Sequence, residues 1–196
     1  AVAREPWRSG AAMCWQAGIA PPDGLVPDAL AQAAWARGVN CHESSAAGRL
    51  FDGAAALLGL CRDASYEGQG PAMLEALADA LPEAAPLPLH KMDGIWEADW
   101  TILVPMLLDE HLPRAERAAR FHAALAATGA EIARLVGAQT VGLAGGVFQN
   151  RKLAEALLAR LRAAGITAHL GRRIPCNDAG LSFGQVVEFG ARQWMK

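Results

Sequence analysis

The stretch that most constrains this chain is Leu143–Asn150, Leu-Ala-Gly-Gly-Val-Phe-Gln-Asn. A β-branched pair, Thr140-Val141, runs into it and a helical pattern from Arg151 to Ala164 runs out. The order is strand, two-glycine turn, helix. Gly145 and Gly146 lack a Cβ, so a ligand can approach their backbone closely. The first N–H groups of the following helix have no intrahelical partner and sit at its positive end. An anion such as a phosphate is stabilised at such a place. Asn150 is expected about one turn in, its amide within reach of a ligand hydroxyl or phosphate oxygen. The same Gly-Gly also serves widely as a plain tight connection, so the turn alone does not establish a ligand.

The C-terminal third continues the pattern. Leu153, Leu157 and Leu161 stack at four-residue spacing, Gly165 ends that helix, and Ile166–Leu170 alternates as a strand. A final helix runs from Ala179 through Leu181, Val186, Val187 and Phe189, after Arg172-Arg173 and Ile174–Asp178. Strand, helix, strand, helix implies an α/β layer over 138–196. Residues 1–137 read as mostly helical. Pro6 and Pro27-Asp28 start helices, and Gly38 closes the second as a C-cap. Ser44 and Ser45 are N-cap candidates for a helix from Gly48 to about Leu60. Pro71 starts another, through Leu81. Pro82–Pro88 is extended, and Ile95–Trp100 is a short strand or hairpin edge. Thr101–His111 is helical. Pro113–Val136 is the longest periodic segment, with Ala118, His122, Leu125, Ile132 and Val136 near one face and Gly137 at its end.

The composition supports a real core and excludes some functions. The 196 residues are 53% hydrophobic, and the net charge of −2 offers no basic field for nucleic acid. No apolar run approaches the ~20 residues of a membrane span, and the N-terminus has no apolar signal region. Cys14, Cys41, Cys61 and Cys176 are isolated, which argues against a zinc ribbon. They read as reduced thiols of a cytoplasmic protein, mainly small buried hydrophobes. The first residue is not Met, which suggests a piece of a longer protein.

Several side chains sit where chemistry could use them. Asp178, between a strand end and a helix start, is either an N-cap carboxylate or a hard oxygen ligand for a metal; the cap is the more ordinary reading. Arg49 is either a helix-surface arginine or a bidentate fork for a phosphate or carbamoyl oxygen. No two of the five histidines lie three or four residues apart, so no helical pair chelates a metal. His122, on an apolar stripe, reads as a core or interface histidine. There is no P-loop and no Gly-x-Ser-x-Gly elbow. Most of the six tryptophans are expected in the core, with some covering an interaction surface.

Five dispersed stretches together resemble the C-terminal part of the HypF family of hydrogenase-maturation carbamoyltransferases. They are Ala3–Arg8; Ser44-Ser45 through Gly48–Asp52; Ala64–Gln69; Gly145–Arg151; and Asn177-Asp178 with Gly180 and Gly184-Gln185. They come in the family's order over nearly the whole length. The resemblance implies a TsaD-like lobe of the actin/hexokinase/Hsp70 (ASKHA) superfold, α/β with a largely helical N-terminal portion. Residues 1–137 and 138–196 then belong to one domain, the second part carrying the nucleotide contacts.

The resemblance also implies the chemistry. Such proteins make carbamoyl-adenylate from carbamoyl phosphate and ATP, and pass the carbamoyl to a C-terminal cysteine of HypE. Gly145, Gly146 and Asn150 match the nucleotide turn. Asp52, Gly68 and Glu75 fall where relatives place ribose and adenine contacts. Arg49 is then the catalytic candidate. Asp178 matches an aspartate that ligates a divalent metal (Fe, Zn or Mg), whose histidine pair lies upstream of these residues. Ala144 departs from the family's usual serine, and Lys152 from an apolar residue. The implied partners are a HypE-like acceptor, upstream HypF domains or a complementing chain, and a second copy in a homodimer. Two other readings remain: a non-catalytic binding or dimerisation module, and a carbamoyltransferase for a small-molecule hydroxyl.

Overall fold

A computed structural model describes residues 4–27, 29–171 and 173–194. Ala3 of the first motif, the expected helix start at Asp28, Arg172 and the side chain of Trp194 lie outside the described residues. The helices are α1 (Pro6–Gln16), α2 (Ala29–Ala36), α3 (Ala47–Leu57), α4 (Gln69–Leu77), α5 (Leu103–Leu108), α6 (Arg114–Leu135), α7 (Arg151–Ala163) and α8 (Leu181–Trp194). The strands are β1 (Leu89–Met92), β2 (Ile95–Ala98), β3 (Thr140–Leu143) and β4 (Thr167–Leu170). Short 3-10 turns at Gly146–Gln149 and Asp178–Gly180 precede α7 and α8.

The core begins at the crossing of α1 and α3. Pro6 opens α1, its missing N–H costing nothing in the first turn. The two backbones approach closely because Gly10 and Gly53 face each other. A Cβ on Gly53 would collide with the Met13 sulfur and lie 3.2 Å from the backbone of Ser9 and Gly10. Around this contact Trp7, Ala11, Cys14, Phe51, Ala54 and Leu58 are buried. Phe51 meets Phe121 of α6 edge-to-face, centroids 5.0 Å apart, a favoured aromatic geometry.

The expected face of α6 is buried at Ala118 and His122, half-buried at Leu125 and Ile132, and fails only at its end. Ala118, Ala119, Phe121, His122 and Ala126 are buried, whereas Val136 is 60% exposed. Small alanines admit a neighbouring helix at short range, so this alanine-rich side packs inward. Thr128, on the same side, donates to Ala124 O and accepts from the Leu87 N–H across the core. That bond holds the extended segment before β1 against α6.

The 82–88 segment carries no regular structure, and β1 and β2 form an antiparallel hairpin, Leu89 opposite Ala98. Strands β3 and β4 pair in parallel, Thr140 opposite Thr167, with α7 as the crossover helix. As its spacing predicts, α7 buries Leu153, Leu157 and Leu161. Parallel strands are normally covered on both faces, yet Thr140, Gly142, Thr167 and His169 are exposed. Helix α8 buries no described side chain; Leu181, Phe183, Val186, Val187 and Phe189 all stand in solvent.

Several local expectations change. Helix α4 starts at Gln69, two residues before Pro71, which occupies the first turn. At α3 the N-cap position is Ala46, with no side-chain cap; Ser44 Oγ instead accepts from the Ala46 N–H in the preceding turn. Among the described tryptophans only Trp7 is core; Trp15, Trp96 and Trp100 are half-buried and Trp35 is exposed. The open apolar surface is thus made by α8 rather than by indoles. Cys14 and Cys61 are buried as expected, but Cys41 is exposed and Cys176 half-buried. Burial pushes the Cys14 thiol up to about 11, so it stays protonated and unreactive.

Candidate functional site

The positive end of α7 is closed by the protein itself. Glu75 Oε1, from α4, accepts from the N–H groups of Arg151 and Lys152 at 2.8 and 3.4 Å. Asn150 Oδ1 accepts from the Leu153 N–H at 2.9 Å, and the Asn150 carbonyl from the Ala154 N–H at 3.0 Å. The Ala154 bond is the first intrahelical one, and the Asn150 N–H itself donates to the Val147 carbonyl at 3.1 Å, so the four donors that a helix start leaves open, those of Asn150 to Leu153, are filled. The expectation that this end presents free N–H groups to a phosphate is corrected. The reason is that two nearby acidic or amide side chains cap it first.

Asn150 is correspondingly the N-cap of α7 rather than a residue one turn in. Its side chain is buried, and its Nδ2 donates to Nε2 of His122 at 2.9 Å. His122 Nδ1 lies 2.7 Å from the Ala118 carbonyl. That bond requires the proton on Nδ1, which leaves Nε2 free to accept. Burial lowers the His122 pKa, more than the Ala118 bond and nearby Glu75 raise it. His122 is a wholly buried core histidine, and its bond to Asn150 joins α6 to α7. Sequence reasoning placed His122 in the core correctly but put Asn150 one turn too far in, and it missed the pair because 28 positions separate them. The one available signal was a lone polar side chain on an apolar helical stripe.

The glycine turn has a different geometry. Gly145 adopts φ 110° and ψ 153°, a region in which a side chain is strained. Its N–H donates to the Cys176 carbonyl at 2.6 Å. That bond ties the turn to the loop immediately before Asp178. Gly146 then opens the 3-10 turn and is exposed. The turn packs against α3, the helix that bears Arg49 and Asp52.

Asp52 is the least satisfied polar group in this region. It is 2% exposed, and its Oδ2 has no hydrogen-bond partner. Arg49 Nη2 lies 2.9 Å from that oxygen, close enough to pair by charge but off the directions of a hydrogen bond. Burial raises the Asp52 pKa, opposed by the Arg49 charge and aided by Glu67. Gly68 stands at φ 84° as the N-cap of α4, and its carbonyl accepts from the Ala72 N–H. Its glycine is required by that left-handed backbone.

Asp178 is exposed in the first turn of the 3-10 segment before α8. The cap there is the neighbouring Asn177, whose Oδ1 accepts from the Ala179 N–H at 3.2 Å, so the capping alternative for Asp178 is replaced. No group of three or more His, Cys, Asp or Glu side chains able to hold a metal occurs among the described residues. One exposed carboxylate does not complete a divalent site, which takes several oxygen or nitrogen ligands. The geometry thus joins Glu75 with Asn150, Arg49 with Asp52, and Gly145 with the loop leading to Asp178. No helix of the described residues is long and apolar enough to cross a membrane.

Residues 1–185 match the family model for the carbamoyltransferase Kae1-like domain, second subdomain. A carbamoyltransferase HypF of Rhodobacter capsulatus is 39% identical over 96% of this chain, which covers 26% of that protein. Carbamoyltransferase HypF2 of Cupriavidus necator is 34% identical over 94% of the chain and 27% of its own length. The chain therefore spans about a quarter of these relatives. The fold is similar to that of a full-length HypF solved in a phosphate- and nucleotide-bound form. That match has a TM-score of 0.80 at 24% identity and covers 94% of this chain and 26% of that one. With its glycine turn, its capped α7 and its ordered motifs all inside the matched span, the chain belongs to the HypF carbamoyltransferase family and corresponds to its second Kae1-like subdomain.

Proposed function

We propose that this chain forms one wall of the site at which a HypF-like enzyme handles carbamoyl-adenylate, made from carbamoyl phosphate and ATP. In this reading the carbamoyl passes to the C-terminal cysteine of a HypE-like acceptor, and the lobe belongs to the ASKHA superfold. The observation that carries it is Asp52, a buried carboxylate oxygen without a hydrogen bond on the helix that packs against the glycine turn. Burying such an acceptor unpartnered costs about 1–3 kcal/mol. A ribose hydroxyl donating to it on binding would recover that cost.

The roles follow from placement. The exposed backbone at Gly146 meets the ligand, with Gly145 setting the turn. Arg49, held by Asp52 yet one-third exposed, offers its remaining N–H groups to a phosphate or carbamoyl oxygen. Gly68 shapes the loop before α4. Glu75 and Asn150 act on the site through α7, which they fix, rather than by direct contact. Asp178 contributes one ligand to a divalent metal whose other ligands come from another part of the enzyme. The family's greater length and the exposed apolar side of α8 support a site completed by further domains.

The test is complementation. The folded chain is mixed with an upstream TsaD-like fragment of a relative, and carbamoyl-phosphate-dependent ATP cleavage is measured. Activity above that of either part, lost in Asp52→Asn, is expected. No gain from two folded, associating parts would refute the reading.

The exposed α8 also favours a second reading, a non-catalytic docking or dimerisation module. Light scattering over a concentration series separates the two. A chain that stays monomeric and ignores a HypE-like acceptor excludes the module.

A further inference from the structure

On the far end of α3 from Arg49, a cavity of about 250 Å³ opens between the 22–25 loop, the end of α3 and the start of α6. Three arginines line it: Arg62, Arg114 and Arg117. Arg62 is engaged, donating to the Leu25 carbonyl and to Asp63. The other two are not neutralised. Arg117 is 7% exposed, and of its side-chain nitrogens only Nη1 has a partner among the described residues, the Leu107 carbonyl at 2.9 Å. Its Nε is buried with no hydrogen bond. Among the described residues no carboxylate lies within ion-pair distance of Arg117 or Arg114.

A buried guanidinium without a counter-ion is a large unfavourable term unless something anionic approaches it. Arginine's planar fork matches the oxygens of a phosphate or carboxylate. We propose that this cavity binds a phosphate group, free or as a small monoester, between Arg117 and Arg114. Arg62 forms its outer wall. The first turn of the 22-residue α6 starts at Arg114, so the helix's positive end adds to the attraction. Asp23, Glu110 and the carbonyl end of α3 also face the cavity. They weaken the field and limit the ligand to one small anion rather than a polyphosphate chain.

This site is independent of the carbamoyl-adenylate reading and stands if that reading fails. The test is titration of the full chain with inorganic phosphate at constant ionic strength, followed by calorimetry and by 31P line broadening. Phosphoethanolamine serves as the monoester arm and potassium chloride as the screening control. Saturable binding of phosphate or of the monoester, absent with chloride and weakened about tenfold or more in Arg114→Ala, is expected. The tighter of the two arms identifies the natural form. Arg114 is exposed, so its removal spares the core; circular dichroism checks the fold. An Arg114→Lys variant that recovers part of the affinity adds support. Absence of saturable binding by either probe, or affinity unchanged in a folded Arg114→Ala, overturns the proposal.

Discussion

Asn150 donates from Nδ2 to Nε2 of His122 while its Oδ1 caps the first turn of α7. One amide thus sets a helix start and reads the protonation of a buried ring. Protonating His122 would put a second donor opposite the Asn150 donor and break the bond. Burial holds the folded pKa below the ordinary 6.5, against the opposing Ala118 bond and Glu75 and with help from Lys152.

The sign of the pH dependence follows. The unfolded chain takes up a proton near pH 6.5 that the folded chain refuses, so the unfolded state binds more protons as pH falls. This contribution to stability is full above pH 6.5 and is lost as pH falls through that value. Urea midpoints measured from pH 8 to pH 5 should drop, and the drop should be flatter in His122→Gln, which does not titrate. Asn150→Asp keeps the cap oxygen but not the donor. Its deficit relative to the native chain should shrink on acidification, when His122 can donate to the new carboxylate.

Glu75 links α4 to α7 across 76 positions of sequence. Glu75→Ala frees two N–H groups at the helix start and should cost about 0.5–2 kcal/mol by chemical denaturation, the usual worth of a cap. Glu75→Gln keeps an acceptor and should lose less. If Glu75 works only through α7, nucleotide affinity of the complemented enzyme should follow stability across the two variants. A loss of affinity in Glu75→Gln with full stability would show direct contact instead.

These features also show what the sequence could and could not reveal. The β3–α7–β4 unit was legible because each part follows from local pattern: β-branched residues, leucines every four, and glycines at the ends. The family was legible because its motifs are contiguous runs. The capping of α7 by Glu75 and the pairing of Asn150 with His122 were not, since each is a contact between distant helices with no local trace. The buried side of α6 was legible at Ala118 and His122 but not at its exposed end, Val136, because burial there also selects small alanines rather than the largest apolar residues. Asp178 and Asn177 compete for one cap, and only backbone geometry decides that Asn177 takes it.

Gly53 tests the α1–α3 crossing. A methyl group there has no room beside Met13 and the Gly10 backbone. Gly53→Ala normally gains helix propensity of roughly 0.8–1 kcal/mol. Here overpacking should outweigh it, with a net loss of about 1–2 kcal/mol. A Met13→Ala change in the same chain relieves the sulfur but not the backbone contact. The double variant should therefore recover part of the loss beyond what the two single changes predict. Simple additivity would place the strain elsewhere.

Asp52 offers the sharpest separation of stability from function. Its folded pKa is raised above the usual 3.8 by burial, so ionisation costs stability at every pH above the carboxylate range. Asp52→Asn keeps the shape and removes the buried charge, while Arg49 retains solvent on its one-third exposed side chain. The variant should melt higher at pH 7 by about 2–4 °C, the shift that ~1 kcal/mol produces in a chain of this size. Well below pH 3.8 the native carboxyl is neutral in the folded and the unfolded chain alike, so the advantage of the variant should vanish there. The same substitution replaces an acceptor-only carboxylate with an amide and should weaken adenosine-nucleotide binding in the complemented enzyme. A variant that is less stable at neutral pH would mean that the Arg49 pair outweighs the burial of Asp52. One that is more stable and binds nucleotide as before would remove Asp52 from the ligand-contacting wall.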